Sequence, residues 1–221
     1  MFPHIPAPAE VKKLSFHKLE DENWCKNPDS RMPVYRFMKR LLDMVLSAMA
    51  LVVFAPFWLL MVLFIHLDSK GSAIFSHMRV GKDGKLFRLY KFRTMHTGAG
   101  KHEFAPTSLK DERITRMGRF LRRTSLDEMP QLWNIMRGEM SLVGPRPEME
   151  FIVKKYRGMQ GKRLLVKPGL TGLWQVLGRK DLPLHENAEY DYYYILHRSL
   201  LFDLWILVKT VAVVINGKGA Y

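Results

Sequence analysis

From Met44 to Ile65 the chain reads MVLSAMALVVFAPFWLLMVLFI, a run without a charged residue. This is the ~20-residue length that a helix needs to cross the hydrocarbon of a bilayer. A helix apolar on all sides must be buried on all sides, and a chain of 221 residues offers little protein to surround it, so a membrane segment is expected. Pro56 falls near the centre of the run. It removes one backbone hydrogen bond and clashes with the preceding turn, while Ala55 is pushed away from helical geometry, so a kink or turn is expected there. Two arrangements follow: a kinked helix that crosses the bilayer, or a helix-break-helix that enters and leaves by one face. Arg31, Arg36, Lys39 and Arg40 precede the run, and Lys70, Arg79, Lys82 and Lys85 follow it. Basic flanks mark a cytoplasmic side, which favours the same-face arrangement, although prolines are also tolerated in crossing helices.

Beyond the run the period changes. Ala73 to Val80 and Lys85 to Met95 read as two strands, joined by Gly81-Lys82-Asp83-Gly84 as a hairpin loop. Alternation in the second strand puts Leu89, Lys91 and Arg93 on one face and Arg88, Tyr90 and Phe92 on the other, so cations line both. Thr97 to Thr107 reads as a loop. Asp111 to Arg123 returns to helical spacing, with Ile114, Met117 and Leu121 as an apolar stripe and Arg113, Arg116, Arg119 and Arg122 on another face. Such a stripe suits an anionic membrane surface or phosphates, or is simply a solvated face.

A further helix is expected from Ser125 or Asp127 to about Arg137. Ser125-Leu126-Asp127-Glu128 matches a capping box, which by itself accounts for two adjacent acids at a helix start. Ser141 to Pro147 is irregular, because Pro145 and Pro147 flank Arg146 and restrict its backbone on both sides. Lys167 to Gly172 reads as a turn, Leu173 to Leu177 as a short strand, Gly178-Arg179 as another turn, and Glu186 to His197 as a helix. The cluster of Tyr190, Tyr192, Tyr193 and Tyr194 suits either a membrane interface or the edge of a packed core. Leu200 to Ile215 is apolar but interrupted by Asp203 and Lys209, which favours a helix lying on a bilayer or docked to the domain over a second crossing.

The fold class expected is α+β: a membrane-anchored single catalytic domain with a proline-broken re-entrant helix, amphipathic surface helices and a small β-hairpin. Residues 1–30 mix prolines with charges and read as a loose extension, 31–69 as the membrane-embedded helix-break-helix, and 70–221 as a cytoplasmic catalytic domain ending in an interfacial helix. The apolar run lies well inside the chain and exceeds the core of a secretory signal, so cleavage is not expected.

Charge narrows the partners. Lys and Arg number 35 against 21 Asp and Glu, a net +14, which points to anionic partners: nucleic acid, acidic headgroups or phosphorylated substrates. Cys25 is the one cysteine, which removes internal disulfides and thiolate metal clusters. No glycine-rich phosphate loop and no His-Glu-x-x-His zinc site occur.

Arginines and lysines therefore accompany one adjacent carboxylate pair, Asp127-Glu128, in a chain with a membrane segment. Phosphoryl transfer needs positive charge around the phosphate oxygens, an oriented nucleophile and usually a divalent cation. A carboxylate can be the nucleophile through an acyl phosphate, and its neighbour can hold magnesium. Lys91, Arg122 and Arg146 are the basic candidates for such a set.

KRLLD (39–43), the broken apolar run, RVGKDGKLFRLYKFRTM (79–95), GRFLRRTSLDEMPQLWNIMRGEMSLVGPRPE (118–148) and KPGLTGLWQVLGR (167–179) together resemble the bacterial monotopic phosphoglycosyl transferases, the bacterial sugar transferase family. The likeness covers about residues 34–215. It implies that Asp127 is the nucleophile that attacks the sugar-bearing phosphate of a UDP-sugar and expels UMP. It further implies that Glu128 helps to hold Mg2+, that Lys91, Arg122 and Arg146 contact phosphate, and that polyprenyl (undecaprenyl) phosphate then accepts the sugar 1-phosphate. A re-entrant break at Pro56 on the cytoplasmic face of a bacterial inner membrane is implied too. Ala55 stands where many members carry a serine, and residues before 31 lie outside the likeness. A homo-oligomer is left open, and no nucleic-acid partner is expected. Two other readings compete: a hydrolase that hands the aspartyl phosphate to water, and a non-catalytic basic module whose binding weakens steeply with salt.

Overall fold

The computed structural model describes residues 11, 16–21, 25, 32–99, 106, 108, 110–177 and 188–215. Their architecture is α+β, with helices around two small two-stranded sheets. Within the stretch expected to be loose, α1 (His17–Glu20) is a helical turn whose Leu19 is buried in the tyrosine-rich core.

The apolar run forms two helices, α2 (Pro33–Val53) and α3 (Ala55–Asp68), bent by 62° at Phe54. Pro56 lies in the first turn of α3, where its missing N–H leaves no helical bond unmade. Among the described residues no single helix is long and apolar enough to cross a membrane. The polarity of α2 is inverted relative to a surface helix. Tyr35, Lys39, Asp43 and Ser47, four residues apart and so on one face, turn toward the protein. Tyr35 and Lys39 donate to Asp203 Oδ2 at 2.9 and 2.8 Å, and Asp43 accepts from the Leu142 N–H at 3.0 Å. On the other side Phe37 is 69% and Val52 75% exposed, and Leu41, Val45 and Met49 accompany them.

β1 (Ile74–Val80) and β2 (Leu86–Phe92) form the expected antiparallel hairpin, in a register that pairs Phe75 with Lys91, His77 with Leu89 and Arg79 with Phe87. The next helix starts later than its spacing predicts: α4 spans Arg116–Thr124, with Thr115 Oγ1 accepting from the Gly118 N–H at 2.9 Å. Asp111 instead accepts from the backbone and guanidinium of Arg113, so that cation leaves the basic stripe and gains an acidic partner. Gly118 packs directly on the Thr94 carbonyl, where any Cβ would collide with backbone; only glycine lets α4 approach the end of β2 so closely.

Beyond α4 the chain runs through a 3-10 turn, Leu126–Glu128, into α5 (Gln131–Met136). β3 (Ser141–Val143) follows, then α6 (Glu150–Val153) and a 3-10 stretch, Gly158–Leu165. Two expectations fail after that. Residues read as a turn form β4 (Gly169–Thr171), which pairs in parallel with β3, because Gly144 and Gly169 let the two backbones touch. The expected strand Leu173–Leu177 is the helix α7, which buries Leu173 and Gln175. The turn predicted at Gly178-Arg179 lies outside the described residues, as does the start of the helix expected from Glu186.

α8 (Ala188–His197) and α9 (Leu200–Ile215) close the fold. The four tyrosines of α8 are core residues: all are buried, and Tyr194 donates to Asp203 Oδ1 at 2.8 Å and to the Val143 carbonyl at 3.1 Å. Asp203 thus joins α2, α8 and α9, which explains a charge in an otherwise apolar helix.

Candidate active site

Asp127 and Glu128 sit on the 3-10 turn between α4 and α5, not on the helix cap that the sequence predicts. Ser125 has φ 57° and closes α4 as its left-handed terminus, and its side chain makes no capping bond. A capping box needs Ser125 in extended geometry at a helix start, so the structural account of the acid pair falls away. Pro130 precedes α5 directly.

Two of the three basic candidates bond to this turn, from different elements, and the third lies on the helix before it. Lys91 of β2 donates to Glu128 Oε1 at 2.6 Å and lies 3.9 Å from Asp127 Oδ2. Arg146, from the proline-bounded segment after β3, donates through Nη2 to Glu128 Oε1 at 2.6 Å and through Nη1 to Oε2 at 3.3 Å. Arg122 of α4 donates through Nε to Thr94 Oγ1 at 3.0 Å, and its charge is close enough to act on Asp127. Pro56 belongs to the bend between α2 and α3 and bonds to none of them.

The two acids are unlike. Burial pushes Glu128 up, but the charges of Arg146 and Lys91, and the hydrogen bonds they donate, outweigh it and hold Glu128 well below the usual carboxylate range. Asp127 accepts no hydrogen bond among the described residues, and burial raises it above the usual range against the pull of Lys91. Environment thus divides the pair into a firmly ionised acid locked to two cations and a more basic, unbonded carboxylate.

The sequence reading passes over three groups that shape this site. Buried Asn134 on α5 takes the place of a third strand against β2: its Oδ1 accepts from the Tyr90 N–H at 3.2 Å and its Nδ2 donates to the Arg88 carbonyl at 2.7 Å. That fixes the helix after the acid turn to the strand that carries Lys91. Arg163, 3% exposed, donates to Asp191 at 2.6 Å, to the Tyr156 hydroxyl at 2.6 Å and to the Arg146 carbonyl at 3.2 Å, so it holds the Arg146 backbone in place. Arg79 and His77 of β1 share the hairpin face of Lys91. Strand alternation carried the signal for this last pair; for Arg163, 17 residues from Arg146 in sequence, there was none.

Among the described residues no group of three or more His, Cys, Asp or Glu side chains could hold a metal ion. Two adjacent carboxylates do suit magnesium, which commonly takes one or two and completes its shell with substrate phosphates and water. Asp127 and Glu128 are the oxygen donors here that could hold such an ion.

An unbonded carboxylate beside a second acid held by Lys91 and Arg146 is an arrangement suited to phosphoryl transfer. The family model for bacterial sugar transferases matches residues 34–217, and the chain belongs to that family. It is 41% identical over 201 residues to the UDP-galactose-lipid carrier transferase of Erwinia amylovora, an alignment covering 84% of this chain and 42% of that protein. It is likewise 41% identical over 201 residues to the undecaprenyl-phosphate galactose phosphotransferase of Salmonella typhimurium, with the same shares. The exopolysaccharide production protein ExoY of Sinorhizobium fredii is 37% identical over 204 residues, 86% of this chain and 90% of that protein. The chain thus spans about two-fifths of the length of the first two relatives and nearly all of the third.

Proposed function

We propose that this chain moves a sugar 1-phosphate from a UDP-sugar to polyprenyl phosphate at the cytoplasmic face of a bacterial inner membrane, a first membrane step in surface polysaccharide or glycoconjugate synthesis. The observation that carries the reading is the unbonded carboxylate of Asp127, 3.9 Å from Lys91, beside a Glu128 fully engaged by Lys91 and Arg146. The names of the relatives, which pair undecaprenyl phosphate or a lipid carrier with galactose, support the same class of acceptor and donor.

In the proposed mechanism an Asp127 carboxylate oxygen attacks the sugar-bearing phosphorus. The P–O bond to the bridging oxygen breaks, its electron pair stays with UMP, and a phosphosugar remains on Asp127. A phosphate oxygen of the polyprenyl acceptor then attacks the same phosphorus and Asp127 departs as carboxylate. Lys91, Arg122 and Arg146 stabilise the charge that collects on the phosphate oxygens. Glu128 would hold Mg2+, which, when bound, neutralises diphosphate oxygens.

The membrane reading rests on the inverted polarity of α2, on the 62° bend and on the exposed apolar face that α2 and α3 share. In it, residues 31–69 enter and leave the bilayer by one side, 70–221 form the catalytic domain, and α9 lies at the interface with Leu201, Leu204, Val208 and Val211 toward lipid. Purified protein incubated with Mg2+, UDP-sugars labelled in the sugar and polyprenyl phosphate tests the function. Label in the lipid fraction with equimolar UMP is expected; sugar phosphate found only in water identifies a hydrolase and defeats the transferase.

A further inference from the structure

Among the described residues Arg79 is a half-buried cation without an ion-pair partner. Its Nε donates to His77 Nε2 at 2.5 Å, and its two Nη groups make no hydrogen bond or ion pair among the described residues. A guanidinium carries five N–H donors and does not shed its proton at physiological pH, so leaving four of them unmet in a partly desolvated place calls for an anion. Arg146 makes the need sharper. Its charge opposes that of Arg79, while Glu148 and Glu128 favour it without forming an ion pair.

The hairpin register puts Arg79, His77 and Phe75 on the face of Phe87, Leu89 and Lys91. Phe87 and Leu89 are buried against Leu132 and Ile135 of α5, so this face looks toward the element that follows the acid turn. His77 is suited to hold the guanidinium. With Nε2 accepting from Arg79, the ring proton is on Nδ1, and Phe75 lies against the imidazole with ring centroids 5.3 Å apart. Burial first, and then the charges of Arg79, Lys91 and Arg146, keep this ring neutral.

We propose that Arg79 is a second phosphate-binding residue of the donor site, taking the phosphate that departs with the nucleoside, and that His77 positions it. The inference rests on the transferase reading for its substrate. Position selects the phosphate: Asp127 lies 3.9 Å from Lys91, whereas the Val80 N–H, next to Arg79, donates to the Glu148 carbonyl at 3.0 Å and so sets Arg79 beside the segment that carries Arg146. In the proposed pose one phosphorus of the diphosphate is at Asp127 and the other between Arg146 and Arg79.

The test uses the full chain with inorganic pyrophosphate and UMP as probes, without added metal, and measures binding by calorimetry in wild type, Arg79→Gln, Arg79→Lys, His77→Gln and His77→Phe. Arg79→Gln is expected to weaken both probes about tenfold, the loss of a bidentate, charge-assisted contact. Arg79→Lys, which keeps the charge but not the fork, should weaken them severalfold, and it carries the test should Arg79→Gln not fold. His77→Gln can still accept from the guanidinium and should bind nearly as wild type; His77→Phe should bind as poorly as Arg79→Lys. In steady state Arg79→Gln should raise KM for the UDP-sugar more than it lowers kcat. Wild-type affinity in Arg79→Gln for both probes, or equal binding by the two His77 variants, overturns the inference even where wild type transfers label to lipid. An Arg79-dependent pyrophosphate site in a protein that moves no label to lipid sinks the transferase reading and upholds the anion site.

Discussion

Arg146 grips Glu128 through both Nη atoms, at 2.6 and 3.3 Å, and in doing so takes up the acid that would otherwise compete with its neighbour for positive charge. Asp127 is left with Lys91 at 3.9 Å, too far for a hydrogen bond, and with the basicity that burial confers. Asp127→Asn is therefore expected to lower transfer by about 10³-fold or more, since an amide cannot form the acyl phosphate. Its stability moves the other way. A carboxyl whose folded pKa lies above its unfolded value contributes stability at low pH that is lost as pH rises, so removing the charge relieves the fold at neutral pH. Melting at pH 7.5 should show Asp127→Asn at least as stable as wild type; a clear drop would mean that the carboxylate serves the fold.

Asn134→Ala strips hydrogen bonds from the Tyr90 N–H and the Arg88 carbonyl together. Two unsatisfied backbone groups at about 1–2 kcal/mol each predict a loss of about 2–4 kcal/mol. Because α5 is then freed from β2, kcat should fall as well. Urea unfolding in detergent measures the first effect, and a variant within 1 kcal/mol of wild type, taken as about the error of such a value, would refute it.

His77 gives the fold an acid-sensitive side. Burial first, then the charges of Arg79, Lys91 and Arg146, pull it from 6.5 to about 3. The unfolded chain takes up a proton below about 6.5 that the folded one refuses until about 3, so stability is full above the upper value and is lost as pH falls through this window. Wild type should lose melting temperature between pH 6.5 and 4.5 more steeply than His77→Gln. Parallel curves would show that the ring titrates freely.

The exposed side of α2 answers a different question. In a bilayer, Phe37→Glu and Leu41→Glu place charge against lipid, and neither residue is needed by the polar contacts of Tyr35, Lys39 and Asp43. The double variant should leave the membrane fraction while melting in detergent near the wild-type temperature. Retention in that fraction equal to wild type argues that this face is covered by protein.

The sequence made the hairpin, the break at Pro56 and the last helix legible, because each follows from local rules: strand alternation around a glycine-bearing loop, a missing N–H, an apolar period. What escaped it depends on tertiary context. Leu173–Leu177 is apolar and short enough for a strand, yet Gly172 and the β3–β4 pair turn it into a helix packed under α9. Ser125 fits a cap by spacing, but the end of α4 claims it first. Lys91, Arg122, Arg146 and the two acids were identifiable as chemistry and through the family likeness, whereas their distances come from folding. Arg163 illustrates the limit: a buried arginine whose work is to hold another arginine's carbonyl leaves no pattern in the chain.

Asp203 makes α2 a late arrival in its own fold. The stripe of Tyr35, Lys39 and Asp43 is synthesised early, yet its partners lie 168, 164 and 99 residues further along. Contacts of such separation form only after long loops have closed, so the start of α2 cannot be tied down through Tyr35 and Lys39 until α9 exists. During synthesis its greasy side is ready at once while its polar side waits. Under the proposed membrane function, that order of assembly makes a lipid surface the first companion of the nascent helix, with residues 70–221 built onto it afterwards.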